Sequence, residues 1–444
     1  MALRKILVCG LSVLLSAAAG NAMANPELEF VEHTEIHANP KANVKAGSEE
    51  SQLRVTLGRN YISTESKDGR VILDFEKRRV FNLKLGEKTY SEGSLFFPFG
   101  FAIMELKNRV AISAALGAAK LDADGMAPAL AEHLFSLQVP GQNTAIESKR
   151  AADATEYLWQ GRQLLSISDK SQPLPSGYLP QYWKWLRYRV GGHPKIYTAL
   201  DSRSGVPELL KVLRVDTAEK FVTLRLVSVT NGPDASYSLA GFRRVEPDRE
   251  PFLTLGKVPR DSRTTLKSSM SAVLADRDAA AAQGRMLDAT LAHLAYTNVT
   301  GDGGAEWLGS VRDRIAADAE TRALLSSLSA KTAEQGTKAV ATLSALHGRT
   351  KSPYAYMLDV FAANHHAALR HPAEAQNMFL SALSANPRLT GAWFDLAGLY
   401  YTTFRTEEAW ACWDAARAMN PDHPLRREID DIERRMVADH PEFF

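Results

Sequence analysis

The chain has 444 residues, of which 45% are hydrophobic and 23% are charged, a composition typical of a globular protein with two or three domains. The formal net charge of +2 gives no electrostatic reason to expect nucleic acid or an acidic membrane as a partner. Beyond the N-terminal segment, no stretch of the sequence is apolar enough to cross a membrane.

The N-terminus has the pattern of a secretory signal peptide. Two basic residues, Arg4 and Lys5, precede the apolar run "ILVCGLSVLLSAAAG", and small residues around Ala24 mark a cleavage site. We therefore expect residues 1–24 to be removed and the mature protein to begin at Asn25. This pattern and the alanine-rich composition favour a periplasmic location.

The chain has two cysteines, Cys9 and Cys412. A lipid anchor at Cys9 is the alternative to cleavage, although only a short apolar run precedes that residue. Cleavage leaves Cys412 alone, which excludes an internal disulfide in the mature protein. The fold must then be stabilised by its hydrophobic core, which a chain of this length can supply.

The first half of the mature sequence predicts a mixed, β-rich domain. We expect a flexible or edge-strand segment over 25–50 and the domain itself over 51–246. Short runs such as "QLRVTLG", "RVILDFE" and "RVFNLKL" have the residue types of strands, and Asp68-Gly69 is a hairpin signal. Helices are expected near 101–119, 126–138 and 181–190.

This half resembles the periplasmic outer-membrane lipoprotein-carrier proteins over residues 50–245. The resemblance rests on "RVILDFEKRRVFNLKLGEKTYSE" and on "GVPELLKVLRV…FVTLRLVSVTNGPDASYSLAGF". It implies a curved antiparallel sheet that wraps around helices and can cover an apolar cavity for a lipid-like ligand. The stretch "SLFFPFGFAIM" is a candidate lid over such a cavity, and the alternative is a loop tucked under the sheet. The candidate lid residues are Phe96, Phe97, Phe99 and Phe101.

The second half changes to the period of helices. Three prolines interrupt a predicted linker over 247–262, and alanine, leucine and charged residues dominate the sequence after it. We expect a helical region over 263–321, repeat units over 322–423, and a capping helix with a tail over 424–444. The predicted class is α+β: a curved antiparallel β-sheet domain with helices, followed by an all-α helical-repeat domain.

The repeat prediction starts from proline spacing. Pro353, Pro387 and Pro421 are 34 residues apart, the period of tetratricopeptide repeats. Between the last two, the sequence resembles that family at eight positions. Tryptophan and tyrosine at helical spacing fill gaps beside small alanines on a facing helix. The matching residues are Trp393, Leu396, Ala397, Tyr400, Ala409, Trp413, Ala416 and Pro421.

The resemblance to tetratricopeptide proteins also implies a groove that binds a protein or peptide. The groove would be lined by first-helix residues that face away from the core between paired helices. The alternative is that preceding helices or the N-terminal domain fill it. The candidate groove residues are Phe361, Asn364, Phe394, Asp395, Tyr401 and Thr402.

No motif of a serine hydrolase, a P-loop or a zinc protease occurs in the mature sequence. "HTEIH" places His33, Glu35 and His37 on one strand face, and we interpret it as a polar strand rather than a metal site. We interpret "NHHAALRH" as packed histidines. "LPQYWKWLRYRVGGHP" is interpreted as a docked helix rather than a nucleic-acid or membrane site. We expect no metal and no cofactor.

The sequence favours an exported, non-enzymatic protein whose helical repeats bind another envelope protein or peptide. One alternative is a carrier or sensor of an apolar, lipid-like ligand that uses the N-terminal β domain. A second is an envelope hydrolase with an unrecognised site, which would show as a cleft with strongly perturbed titratable groups.

Overall fold

The structure, a computed structural model, describes residues 24–121, 127–175, 177–215, 218–232, 236–258 and 263–444. It confirms the predicted α+β class: an N-terminal part built on a mostly antiparallel sheet is followed by an all-helical part. Residues 1–23 of the expected signal peptide lie outside this description. Within the described ranges, no helix is long and apolar enough to span a membrane.

Six antiparallel strands begin the described chain. They are β1 (Pro26–Ile36), β2 (Gly47–Leu57), β3 (Tyr61–Ser66), β4 (Gly69–Asp74), β5 (Arg79–Lys84) and β6 (Thr89–Ser94). The predicted hairpin at Asp68-Gly69 is present, and Ser66 pairs with Gly69 across it. Gly69 has a φ of 149°, a conformation that residues with a Cβ rarely adopt, so glycine is required at this turn.

The remaining elements of this part complete the sheet and cover one side of it. They are α1 (Phe96–Ala118), α2 (Pro128–Phe135), β7 (Glu147–Ala151), β8 (Ala154–Trp159), β9 (Arg162–Ser168), β10 (Ser171–Pro173), α3 (Leu179–Arg189), α4 (Pro194–Leu200), β11 (Gly205–Pro207), β12 (Leu209–Val215), β13 (Glu219–Asn231) and β14 (Arg243–Arg244). Twelve strands form one sheet in the order β14-β6-β5-β4-β3-β2-β1-β13-β12-β9-β8-β7, while β10 and β11 pair separately. Among the described pairs, only β14 with β6 is parallel.

Strand β1 lies in the middle of this sheet, between β2 and β13. The expectation of a flexible or edge segment over 25–50 is therefore wrong for residues 26–36. The strand alternates buried and half-buried positions, and Leu28 and Phe30 are almost fully buried on the face that packs against helices. Its partner β13 comes from the far end of the same domain, which a local sequence pattern does not reveal.

Helix α3 packs on the buried face of the sheet, as the sequence predicts. The indole of Trp185 stacks on the ring of Phe30 with centroids 5.2 Å apart. The same indole nitrogen donates a hydrogen bond to the Thr64 hydroxyl at 2.9 Å. Tyr182 and Trp183 are also buried, so the aromatic residues of this stretch belong to the core.

The segment expected to be a linker packs against the helical part as far as it is described. It contains the short helix α5 (Phe252–Leu255), in which Phe252 is buried. The guanidinium of Arg249 forms ion pairs with Glu407 at 2.6 Å and with Glu408. Residues 247–258 therefore belong to the packed structure.

Eleven helices make up the described C-terminal part. They are α6 (Arg263–Ala282), α7 (Met286–Thr300), α8 (Ala305–Ser310), α9 (Arg312–Ala317), α10 (Ala319–Leu328), α11 (Ala333–Arg349), α12 (Tyr356–Ala368), α13 (Pro372–Ala385), α14 (Thr390–Thr402), α15 (Thr406–Met419) and α16 (Arg426–Asp439). Local sequence explains the start of α11, where Thr332 and Gln335 form a reciprocal capping box.

These helices associate mainly as antiparallel neighbours in the chain, with close pairs α10–α11, α12–α13 and α14–α15. Helix α7 also contacts α10, α12 and α14. Trp393 and Tyr400 of α14 are almost fully buried, as is Trp413 of α15. These three aromatic residues of α14 and α15 are thus core residues. The resemblance to tetratricopeptide repeats itself stays a prediction.

The sheet and the helical part meet across a shared apolar surface. The ring of Phe96 at the start of α1 stacks on Trp410 of α15 with centroids 6.5 Å apart. Arg79 of β5 forms an ion pair with Asp414 of α15. The amine of Lys184 on α3 donates to the main-chain oxygen of Phe444 at 2.5 Å. One continuous core cluster accordingly includes residues from both parts.

Candidate functional site

The candidate site is an apolar groove with α1 as one wall. Residues of α1 that line it recur at intervals of three and four, so they form a single stripe along the helix. Leu106 is buried, while Ala111 and Ala114 are exposed. The stripe consists of Ile103, Leu106, Lys107, Val110, Ala111 and Ala114.

Helix α16 supplies the second wall in the same way. Its lining residues also recur at intervals of three and four, and Met436 is buried while Ile432 is half-buried. Residues 137–140 and the ring of Tyr401 complete the lining. The cavity has a volume of about 630 Å³, which lies within the usual range of ligand sites. The lining residues of this wall are Ile432, Arg435, Met436 and Asp439 of α16, together with His440, which directly follows the helix.

Aromatic packing joins the two walls at one end of the groove. Phe99 of α1 lies 5.1 Å from the ring of His440 and 4.8 Å from that of Phe443, measured between centroids. Phe444 meets the Phe99 ring edge-on at 5.1 Å. The end of the groove nearest the sheet is therefore packed with rings.

The expected lid is not formed by the aromatic cluster of "SLFFPFGFAIM". That stretch begins α1, and Phe96 and Phe99 are each only 2% exposed in the core between the two parts. Phe97 is partly buried, and Phe101 alone of the four is exposed. The lid expectation is wrong because Pro98 and Gly100 do not interrupt the helix, since proline is tolerated in the first turn.

Charged side chains lie at the rim of the groove. Lys107 and Arg435 are exposed, and neither forms an ion pair with any residue that the structure describes. Asp439 and His440 are the other two ionisable residues of the lining. The groove therefore combines an apolar floor with a rim that carries two exposed cations and the carboxylate of Asp439, and Arg435 donates a hydrogen bond to the Asp431 carbonyl at 3.3 Å.

The groove expected from the tetratricopeptide resemblance is not assembled as predicted. Phe394 is 5% exposed and stacks on His423 with ring centroids 5.3 Å apart, so it belongs to the core. The N-terminus of its helix is also covered, since Asn298 of α7 accepts the N–H of Ala392 at 3.1 Å. Part of the expected groove is thus filled from within the chain, which was the alternative interpretation.

The other five expected residues are spread over different surroundings. The Asn364 amide donates to the Asp395 carboxylate at 3.0 Å. Burial raises the pKa of Asp395, and this hydrogen bond opposes the rise. Phe361 is half-buried and Thr402 is exposed. Of the candidate residues, Tyr401 is the one that lines the apolar groove, where its ring also contacts Trp410 and Trp413.

The histidine patterns are placed away from the groove. His37 lies 3.6 Å from Glu35 and 3.8 Å from Glu219, at an exposed position of the strand end. His365 hydrogen-bonds to the Ser327 carbonyl at 3.0 Å, and the rings of His366 and His371 lie 5.8 Å apart. Across the described ranges, no group of three or more potential ligands could hold a metal ion.

One cluster of titratable groups was missed by the sequence interpretation. Glu132, His133 and His193 are each no more than 1% exposed, and they lie behind the segment that lines the groove. Nε2 of His193 lies 3.1 Å from the Glu132 carboxylate. Because this cluster is closed to solvent, it is not the open cleft that a hydrolase would need.

No known protein family and no curated protein matches this chain.

Proposed function

We propose that the protein is an exported, non-enzymatic binding protein of the cell envelope that holds an amphipathic helix of another protein in the groove between α1 and α16. The observation that carries this proposal is the pair of apolar helical stripes that face one open groove. Such a groove suits a third helix, because apolar residues at helical spacing on a partner can pack between two stripes of the same period.

The charges at the rim favour a partner helix with acidic residues beside its apolar face. Lys107 and Arg435 are exposed, and each carries its charge on a long flexible stem. A carboxylate on the partner would gain an ion pair at either position without losing an existing one in the described chain. Such exposed pairs contribute chiefly to specificity and to the rate of association.

The packed helical pairs support this role as a rigid scaffold. Tyr401 projects from α14 into the groove, and α16 is held against α15 by the hydrogen bond from Trp410 to Glu433 at 3.0 Å. Repeat-like stacks commonly act as supports for protein binding. The proposed partner site lies beside the last helical pair, α14–α15. It does not lie along α10, α12 and α14, the first helices of the three pairs, because α7 contacts those helices.

A second candidate is the carriage of an anionic, lipid-like molecule. It is favoured by the cavity of about 630 Å³, which is large enough for an acyl chain, and by the same two rim cations. The sequence resemblance to lipoprotein carriers points in the same direction. In contrast to that resemblance, the groove is formed by α1 together with the helical part rather than under the sheet.

Site-specific photo-cross-linking in the exporting cell tests the proposal. A benzophenone amino acid at Lys107 lies in the groove lining, while one at Ala115 is on the same helix but outside the lining. We expect a cross-link at position 107 to a segment with apolar residues at helical spacing and acidic neighbours, and none at 115. Cross-linking to lipid at 107 supports the second candidate, and equal products at both positions contradict a groove site.

A further inference from the structure

We infer that Glu132, His133 and His193 form a proton-sensitive clamp that holds one wall of the apolar groove in place. This inference rests on the proposed function, because that function makes the groove a binding site. The clamp itself joins the end of α2, the start of α4 and strand β12, and its response to protons can be measured without any ligand.

The link between clamp and groove is the Glu132 carboxylate. One of its oxygens accepts the backbone N–H of Val139 at 2.7 Å, and the other accepts the hydroxyl of Thr144 at 2.6 Å. Val139 lines the groove together with Leu137 and Pro140. The position of this wall therefore depends on where the carboxylate is held.

Backbone donors fix the tautomer of both histidines. Nδ1 of His133 accepts the N–H of His193 at 3.0 Å, so its proton is on Nε2, which donates to the Leu213 carbonyl at 2.7 Å. Nδ1 of His193 accepts the N–H of Lys195 at 3.2 Å, so its Nε2–H donates to Glu132. In the closed clamp each ring nitrogen thus has a partner.

Protonation of His133 breaks this arrangement. A proton on Nδ1 would face the N–H donor of His193, and the hydrogen bond between them would be lost. Loss of that bond lets the main chain at His193 shift, and the ring of the same residue orients Glu132. The shift reaches the Val139 amide through two hydrogen bonds, the one between His193 and Glu132 and the one between Glu132 and the Val139 N–H. Release of Glu132 then frees the wall formed by residues 137–140.

The charges around His133 oppose its protonation in the closed state. Burial lowers the pKa of His133 to about 4, the Leu213 carbonyl counteracts this, and His193 and two arginines add to the lowering. Glu219 pairs with one of those arginines at 2.5 Å. The charged or titratable groups that act on His133 are His193 at the start of α4, Arg162 on β9 and Arg214 on β12. Behind them, Glu132 on α2 bonds to His193, and Glu219 on β13 pairs with Arg162.

The open clamp exposes His133 to water and restores an ordinary affinity for protons. Between the ordinary pKa of 6.5 and the lowered value of about 4, the open state takes up a proton that the closed state does not. The ratio of open to closed clamp therefore rises about tenfold for each pH unit of acidification in this range. Mild acid thereby loosens the groove wall without changing any residue of the groove.

Hydrogen exchange at the Val139 amide tests the clamp directly. In the full chain we expect its protection factor, corrected for intrinsic exchange, to fall about tenfold per pH unit below pH about 6.5. His133→Gln, which cannot titrate, should abolish this dependence, and His37→Gln at an exposed position should retain it. The Trp393 amide of α14, which donates to the Leu389 carbonyl, is the reference amide, because its exchange reports global unfolding.

The clamp is contradicted if the protection factor of the Val139 amide depends on pH equally in His133→Gln and in the unaltered protein. It is also contradicted if that protection factor does not change with pH in the unaltered protein. If His133→Gln does not fold, ring NMR of the unaltered protein decides. We expect the Nε2–H tautomer of His133 above pH about 6.5 and no protonation until well below it. A ring that takes up its proton at the ordinary pKa contradicts the inference.

Binding of the apolar, anionic fluorescent probe anilinonaphthalene sulfonate distinguishes a failure of this inference from a failure of the proposed function. If the probe binds the groove at neutral pH and weakens in acid only when His133 is present, both are supported. If it does not bind at neutral pH, the groove function fails, while the exchange at Val139 still decides on the clamp.

Discussion

The indole nitrogen of Trp410 donates a hydrogen bond to the Glu433 carboxylate at 3.0 Å, deep between α15 and α16. The opposite edge of the same indole abuts α1, where a Cβ placed on Gly100 would lie only 2.5 Å from ring atom Cη2. One tryptophan thus contacts both helices that form the groove. The separation of those helices depends on the size of this ring and on the lack of a side chain at residue 100.

Gly100→Ala should therefore disturb the groove. The added methyl group overlaps the Trp410 ring, so α1 must move or the ring must leave its rotamer. We expect a loss of about 1–3 kcal/mol in the free energy of unfolding, measured by chemical denaturation, together with weaker binding of apolar probes.

Gly117→Ala is the matched control on the same helix. The added methyl group would have no neighbour within 4 Å among the described residues beyond its own helix, and residue 117 is exposed. Because alanine favours helix over glycine, this variant should gain up to about 1 kcal/mol. A similar loss in both variants would show that the contact with Trp410 is not what requires glycine at residue 100.

His133 should make global stability depend on pH. Its pKa is lowered from 6.5 to about 4 by burial, so the unfolded chain binds a proton that the folded protein excludes. The stabilisation is complete above pH 6.5 and is lost as the pH falls to about 4, for a total of about 3 kcal/mol. Denaturant unfolding at stepped pH measures it.

Comparison with His133→Gln isolates this contribution. Burial also lowers the pKa values of His293 and His423, so the variant should keep a shallower dependence of the same sign. If the curves of the two proteins run parallel between pH about 6.5 and 4, His133 is not excluded from protonation in the folded state.

Trp393→Ala should destabilise the helical part strongly. The side chain is fully buried, and its indole nitrogen donates to the Pro387 carbonyl at 3.0 Å. Emptying such a site costs about 3–5 kcal/mol. Phe404→Ala, at a residue that is 36% exposed, is the control and should change the thermal midpoint little. An unchanged midpoint in Trp393→Ala would contradict its core position.

The thiol of Cys412 should be unreactive in the folded protein. It is fully buried, and burial raises the pKa of the thiol well above its ordinary value, so little thiolate exists to react. Labelling by iodoacetamide at pH about 8 should proceed only as the helical part opens, and denaturant should accelerate it greatly. Rapid labelling without denaturant would mean that α15 packs loosely against its neighbours.

Local patterns predict much of the fold. Helical spacing places Trp393, Leu396 and Tyr400 on one face and predicts that they are core residues, and their burial confirms this. The docked helix, expected near 181–190 and observed over Leu179–Arg189, is predicted from Pro180 and Gly191-Gly192, which bracket it. In both cases the information needed lies within a few turns of one helix.

Most of the candidate site cannot be predicted from such local patterns. Its lining comes from α1, residues 137–140, Tyr401 and α16, which are far apart in the sequence and are brought together only by packing. The central place of β1 likewise depends on pairing with β13. Glu132 and His193 look like ordinary surface residues in sequence, and only their burial reveals the network.

The claim that the groove between α1 and α16 is a binding site is tested most directly by a pair of glutamate variants. Ala111 and Ala115 are both exposed on α1, but only Ala111 lines the groove. In fluorescence titrations with anilinonaphthalene sulfonate at pH about 7.5, the unaltered protein and Ala115→Glu should bind with the same Kd. Ala111→Glu should bind at least about tenfold more weakly, because a carboxylate in the groove repels an apolar anion. Equal affinity in all three proteins, or no saturable binding by the unaltered protein, would contradict the account.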